Sequence, residues 1–148
     1  MIEQNFLDGL EEVSIDTGIY IKYFEKEEGE FKKILRESIF NDISRVNIYG
    51  HYLLKSEIYY ILCRSLGMQQ AEEKVLEIEK FITFINGLFL YKIAGQIKCE
   101  FPLALPDCYS IAIGYIHSCP VLFLKEKELS PNIITRITEK YQISIQTL

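Results

Sequence analysis

A chain of 148 residues is the size of one domain that can bury a core of its own. Apolar residues make up 49% and charged ones 25%, a globular balance, and the longest apolar run, 81–90, is cut by Asn86-Gly87 and too short to span a membrane. A net charge of −5 excludes general electrostatic attraction to nucleic acid, so RNA could be held only through local basic groups or bound cations.

In chain order, residues 1–10 read as a loose arm or a short helix. Glu12–Asp16 is a short buried strand ending in an acid; Thr17-Gly18 breaks it, and a helix starts at Ile19–Phe24. An acid at the carboxyl end of a first strand points into the crevice where open α/β sheets bind ligands, and a helix-capping role for Asp16 or Thr17 stands beside that reading. The charged turn Glu25–Glu30 reads as solvated surface. Glu30–Phe40 is a helix with Phe31, Ile34, Leu35 and Ile39 on one face, and Val46–Tyr49 is a second strand.

Gly50-His51 then turns into a helix over Leu53–Leu66, with Gly67 at its C-cap position. Leu54, Ile58, Ile61, Leu62 and Leu66 form its apolar face, Ser56 and Glu57 fall in its first turn, and Arg64 lies two turns beyond Glu57, suited to pair with an acid elsewhere. A helix is predicted over Gln69–Phe84, a turn at Asn86-Gly87, a short strand or loop at Leu88–Leu90, and a helix over Tyr91–Glu100. Ala94 and Gly95 are small enough to predict close approach of a neighbouring backbone there.

Pro106 and Asp107 open an apolar-faced helix running to His117. Proline suits a first helical turn because its missing N–H would be unbonded there, and the helix dipole favours an acid at that end. Taken alone, Asp107 is a capping group. Pro120–Leu124 is wholly apolar, as in a strand buried on both faces, and Lys125–Leu129 follows it. A helix over Pro131–Lys140 and an edge strand over Ile143–Leu148 complete the chain. The alternation predicts a single α/β domain, 1–148, with a mainly parallel sheet of four to five strands covered on both faces. Cys63, Cys99, Cys108 and Cys119 contain no CxxC pair and no zinc-site spacing. With no secretory leader in view, they read as reduced, mostly buried thiols of a soluble cytoplasmic protein.

Three acids share one topological address: Asp16 after the first strand, Glu57 in the helix after the second, and Asp107 at the head of the helix before the 120–124 strand. Glu126 and Glu128, just past that strand, are candidates for a fourth. In a parallel sheet these positions lie along one edge.

The series Val13-Ser-Ile-Asp-Thr17, Leu53-Leu-Lys-Ser-Glu-Ile-Tyr-Tyr-Ile-Leu-Cys-Arg64, Ala94-Gly-Gln-Ile-Lys98, Leu105-Pro-Asp-Cys-Tyr-Ser-Ile-Ala-Ile113 and Pro120-Val-Leu-Phe-Leu-Lys-Glu-Lys-Glu-Leu129 resembles the PIN-domain ribonucleases. It is most similar to the VapC-type toxins of prokaryotic toxin–antitoxin pairs, over roughly residues 12–129. The resemblance implies a three-layer α/β/α fold and a Mg²⁺- or Mn²⁺-dependent endoribonuclease in which Asp16, Glu57 and Asp107 match the three main acids. The family's fourth acid follows the fourth strand, two residues after a Ser or Thr. Leu124 stands in place of that hydroxyl here, and Glu126, with Glu128 as the alternative, takes the place of the acid. A homodimer and a small antitoxin protein whose tail lies in the acidic groove are implied too.

The chemistry agrees with that pattern. Carboxylates packed within about 4–6 Å repel by as much as ~4 kcal/mol per close pair at an effective dielectric of 20, and without a cation they share protons. A divalent ion relieves the repulsion, and oxygen-only ligands select hard ions such as Mg²⁺ or Mn²⁺. Asp16 and Asp107 are then the expected direct ligands, with Glu57 and Glu126 as further ligands or as orienters of the attacking water. His51 and His117 are expected to be structural or exposed. Lys22, Lys55, Arg64, Lys92, Lys98 and Lys125 are candidates to line an RNA groove, and Thr17 to cap a helix or bond a phosphate or metal-bound water. Other readings are a PIN enzyme of RNA maturation, an inactive PIN-fold scaffold suggested by Leu124, and a phosphoacceptor receiver domain, disfavoured because the early acids are not paired.

Overall fold

Short runs of β-branched and aromatic residues alternate along the chain with longer stretches of helical period, and the two kinds separate into sheet and cover. A computed structural model describes residues 4–25 and 27–148. The strands are β1 (Glu12–Ile15), β2 (Asn47–Gly50), β3 (Ile82–Phe84), β4 (Val121–Phe123) and β5 (Ile145–Thr147). The helices are α1 (Gln4–Asp8), α2 (Thr17–Tyr23), α3 (Glu30–Ser38), α4 (Tyr52–Leu66), α5 (Met68–Glu79), α6 (Leu90–Glu100), α7 (Leu105–His117) and α8 (Pro131–Tyr141).

All pairings in the sheet are parallel, in the order β3-β2-β1-β4-β5, with Val13 opposite Ile48, Ser14 opposite Val121 and Leu122 opposite Gln146. Because successive side chains of a strand point to opposite faces, β4 feeds two cores. Leu122 joins Leu7, Val13, Ile19, Leu35, Leu54 and Ile58 under α1–α5. Val121 and Phe123 join Ala94, Ile97, Ile111 and Ile137 under α6–α8. The result is the expected α/β/α layering. No helix among the described residues is long and apolar enough to cross a membrane.

Helix ends follow local chemistry. His51 caps α4, its Nδ1 accepting from the Leu54 N–H at 3.1 Å, and Gly67, at φ 90°, separates α4 from α5. Pro106 sits in the first turn of α7, and Ser118 leaves that helix in the left-handed region at φ 52°. Of the glycines, Gly114 leaves the least room for a side chain. A Cβ there would stand 2.3 Å from Val121 Cγ2 and 3.1 Å from the Cys119 carbonyl oxygen, so α7 rests on β4 through bare backbone. Gly114→Ala should therefore lower stability by about 1–3 kcal/mol despite alanine's better helix propensity. A urea titration should show an earlier midpoint at unchanged slope.

Several expectations are corrected. Residues 69–84 are not one helix: α5 ends at Glu79, and Ile82 and Thr83 pair with Ile48 and Tyr49 as β3. The helical spacing of Val75, Ile78, Phe81 and Ile82 hid a three-residue strand, because so short an apolar run has no period of its own. Of the short strand or loop expected at Leu88–Leu90, the loop holds: residues 88 and 89 form a turn and α6 begins at Leu90. Of the loose arm or short helix expected over residues 1–10, the helix holds at residues 4–8, with Leu7 wholly buried; residues 1–3, like Lys26 of the charged turn, lie outside the described residues. Gly95 faces open space; the close approach expected of it belongs to Gly114. The cysteines are free, but Cys99 is exposed and Cys63 only half-buried.

Candidate functional site

Parallel strands bring the ends of β1 and β4 to one edge, and the candidate acids stand around the hollow beyond it. Asp16 directly follows β1, its amide held to the Leu122 carbonyl at 3.0 Å. It occupies the N-cap position of α2, yet its side chain makes no cap hydrogen bond, so the capping reading of this acid does not hold. Its carboxylate, 3% exposed, instead accepts from Ser110 Oγ at 2.8 Å. Glu57 lies in the second turn of α4, not the first, because the helix begins at Tyr52. Its Oε1 accepts from Thr17 Oγ1 at 2.6 Å, a partner different from the cap or phosphate expected of that threonine. Asp107 comes from the first turn of α7, and Glu126 and Glu128 from the loop after β4.

Together Asp16, Glu57, Asp107, Glu126 and Glu128 line one cavity of about 280 Å³, with Thr17, Leu124 and Lys22 in its wall. The five acids singled out from the sequence thus meet, although they come from four separate parts of the chain.

The hollow disfavours its own charge. Burial, then the charges of Asp107, Glu57 and Glu126, push Asp16 from 3.8 up to about 8, against the pull of the Ser110 hydroxyl. Burial followed by Glu126, Glu57 and Glu128 pushes Asp107 up to about 7. Glu126 is raised too, by burial and then by Glu128 and Glu57. Such groups titrate as one coupled set. Among the described residues, no three His, Cys, Asp or Glu side chains stand in a ready-made ligating arrangement. The Asp16 and Glu57 carboxylates are each engaged by a hydroxyl instead. The donors are nevertheless all oxygen, clustered and electrostatically unsatisfied, which fits a hard divalent cation.

Most of the candidate cations lie elsewhere. Lys22 does line the hollow, while its ammonium also sits 4.8 Å from the Phe31 ring centre. Lys55 pairs with Glu79, Lys98 donates to the Leu103 carbonyl at 2.6 Å, and Lys92 and Lys125 are not in the cavity wall. Arg64 lies over the Tyr60 ring at 5.0 Å, and no ion pair of it is found among the described residues, so its expected acid is missing. His117 stacks on Tyr49 at 4.2 Å, away from the acids.

Ser110 was not among the residues singled out from the sequence, and His51, expected to be structural or exposed, proves structural. His51 is buried, pushed down to about 4 chiefly by that burial, with the Pro106 carbonyl acting in the opposite sense. One signal was available for Ser110: a hydroxyl within the otherwise apolar 110–114 stripe of α7 must find a partner inside the protein.

No family model matches the sequence, and no curated protein does. Solved structures share the fold. A chain of VapBC2 from Rickettsia felis, crystallised bound to a promoter DNA fragment, has a TM-score of 0.67 at 12% identity, covering 92% of this chain and 98% of that one. A toxin–antitoxin complex from Klebsiella pneumoniae gives 0.56 at 18% identity, over 80% of this chain and 90% of that one. FitAcB from Neisseria gonorrhoeae gives 0.56 at 15% identity, over 90% and 95%. The chain therefore has the VapC-like PIN-domain fold, as its sequence motifs implied.

Proposed function

We propose that this protein is a Mg²⁺- or Mn²⁺-dependent endoribonuclease, the toxin of a toxin–antitoxin pair. The observation that carries the reading is the meeting of Asp16, Glu57, Asp107 and Glu126 in one hollow at the carboxyl edge of the sheet, in a fold shared with toxin–antitoxin structures. Asp16 and Asp107 are the ligands we assign, with Glu57 and Glu126 completing the set or orienting the attacking water. Glu126 is preferred to Glu128 as the fourth acid because its carboxylate reaches the start of α2, with Oε1 3.5 Å from where a Cβ on Gly18 would stand, and its charge raises both Asp16 and Asp107.

When bound, the cation would supply an activated water and offset charge on the phosphate. The side chains do the rest. Ser110 holds one oxygen of Asp16, Thr17 holds one of Glu57, and Lys22 offers a positive charge at the wall for a backbone phosphate. The same negative hollow suits a basic side chain from a small antitoxin, which would compete with the cation. A cytoplasmic homodimer completes the proposal. One observation favours a second reading, a PIN-fold scaffold without activity: Leu124 lines the hollow where the sequence resemblance calls for a hydroxyl.

The test is cleavage of structured and unstructured RNA by the purified chain with Mn²⁺, Mg²⁺ or EDTA, beside an Asp107→Asn variant. Cutting should require the metal and disappear in the variant. Cutting that ignores chelator and substitution alike would refute the proposal, and neither cutting nor metal uptake would establish the scaffold.

A further inference from the structure

Behind the hollow stand two buried polar side chains, His51, 2% exposed, and Ser110, 1% exposed. Neighbouring groups fix the direction of their hydrogen bonds. The Leu54 N–H donates to His51 Nδ1 at 3.1 Å, so Nδ1 offers its lone pair and Nε2 carries the proton of the neutral ring. Nε2 lies 3.2 Å from Ser110 Oγ. Ser110 Oγ lies 2.8 Å from Asp16 Oδ1, and a hydroxyl beside a carboxylate gives its single proton to it, leaving a lone pair for Nε2–H, which the Pro106 carbonyl also faces. The backbone at Ser110 is held in turn, because Ser14 Oγ donates to its carbonyl at 2.8 Å.

We propose that His51 and Ser110 are positioning residues for Asp16: a one-way hydrogen-bond chain from the start of α4, through His51 and Ser110, engages Oδ1 and leaves Oδ2 as the oxygen free for a cation. The proposal rests on the metal reading above. It gives the capping histidine a second task and accounts for a hydroxyl on the buried stripe of α7. Three separate elements, β1, α4 and α7, are thereby locked to one carboxylate orientation. Partners of this kind behind a ligand are typically worth 10–100-fold in metal affinity.

Two variants of the full chain separate this role from simple packing. Ser110→Ala deletes the last link. His51→Asn keeps the helix cap, since asparagine is among the best N-cap residues, but its shorter side chain does not span to Ser110. Nitrogen-15 NMR of the metal-free protein should find the His51 proton on Nε2. The Asp16 carboxyl carbon-13 signal should move in His51→Asn, although His51 does not touch Asp16. Calorimetric titration with Mn²⁺ alone should show affinity about 10-fold or more weaker in both variants, with melting curves confirming that each is folded.

A ring protonated on Nδ1, or an Asp16 signal and Mn²⁺ affinity both unchanged in His51→Asn, overturns the proposal. If Ser110→Ala does not fold, His51→Asn decides alone. A wild-type chain that takes up no Mn²⁺ overturns the metal reading and the positioning role with it, and the NMR signals then still report whether the hydrogen-bond chain exists.

Discussion

Asp16→Asn should reduce RNA cleavage about 10²-fold or more while making the metal-free protein more stable. The amide is nearly isosteric and its oxygen still accepts from Ser110, so the surroundings need not rearrange. What disappears is the charge. In the cleavage reaction that charge would anchor the cation, whose contribution to the transition state amounts to several kcal/mol. In the empty hollow the same charge is a burden, because it is buried and faces Asp107, Glu57 and Glu126. Single-turnover cleavage in Mn²⁺ and thermal melting in EDTA measure the two effects on one preparation. Asp107→Asn should act in the same directions with a smaller gain in melting temperature, since its carboxyl is raised less. Retained cleavage in Asp16→Asn would sink the ligand assignment, and a lower melting temperature would sink the electrostatic account.

The second large effect is a loss of metal-free stability between about pH 6.5 and pH 8. Unfolded Asp16 titrates near 3.8, whereas in the fold it keeps its proton up to about 8. Across that interval the folded chain binds more protons than the unfolded one, so stability falls as pH rises. Asp107, raised to about 7, acts the same way. His51 acts oppositely: it is pushed from 6.5 down to about 4, so its burial as a neutral ring favours folding increasingly as pH rises through that range. Below pH 6.5 the two tendencies oppose each other, and above it the carboxylates remain. From pH 6.5 to 8, Asp16 alone should remove about 2 kcal/mol, or roughly 4–8 °C in melting temperature for a chain of this size. Saturating Mn²⁺ should return a similar amount at pH 8, about 2.7 kcal/mol at a hundredfold excess over Kd. A melting temperature that is flat over this range in EDTA would contradict the picture; Asp16→Asn should remove the larger part of the slope and leave the part that Asp107 contributes.

The acids were legible in the sequence because strand ends and helix starts are: Ile15 to Asp16 and Pro106 to Asp107 each carry a local signal of where a chain turns. Partners of those acids were not. The contact of Thr17 with Glu57 joins α2 to α4, and that of Ser110 with Asp16 joins α7 to the end of β1, so both depend on how layers stack. For the same reason Gly114 looked like any small helical residue and Gly95 like a packing contact; which of them meets a neighbour is decided by the position of Val121. The break between α5 and β3 escaped because Phe81 and Ile82 continue the apolar spacing of the helix before them. Lysines are legible only as charges, and Lys55 and Lys98 were taken up by Glu79 and the Leu103 carbonyl.

The sheet order has a consequence for synthesis. β1 is made before the other four described strands but stands in the middle, and its neighbour on one side, β4, is made only after β2 and β3. Until Val121–Phe123 has been translated, β1 has a bare flank and Asp107 has no fixed relation to Asp16. A pairing between segments so remote is slow to find. Up to that point the growing chain has no finished acidic pocket to present beside the ribosome, itself an RNA machine.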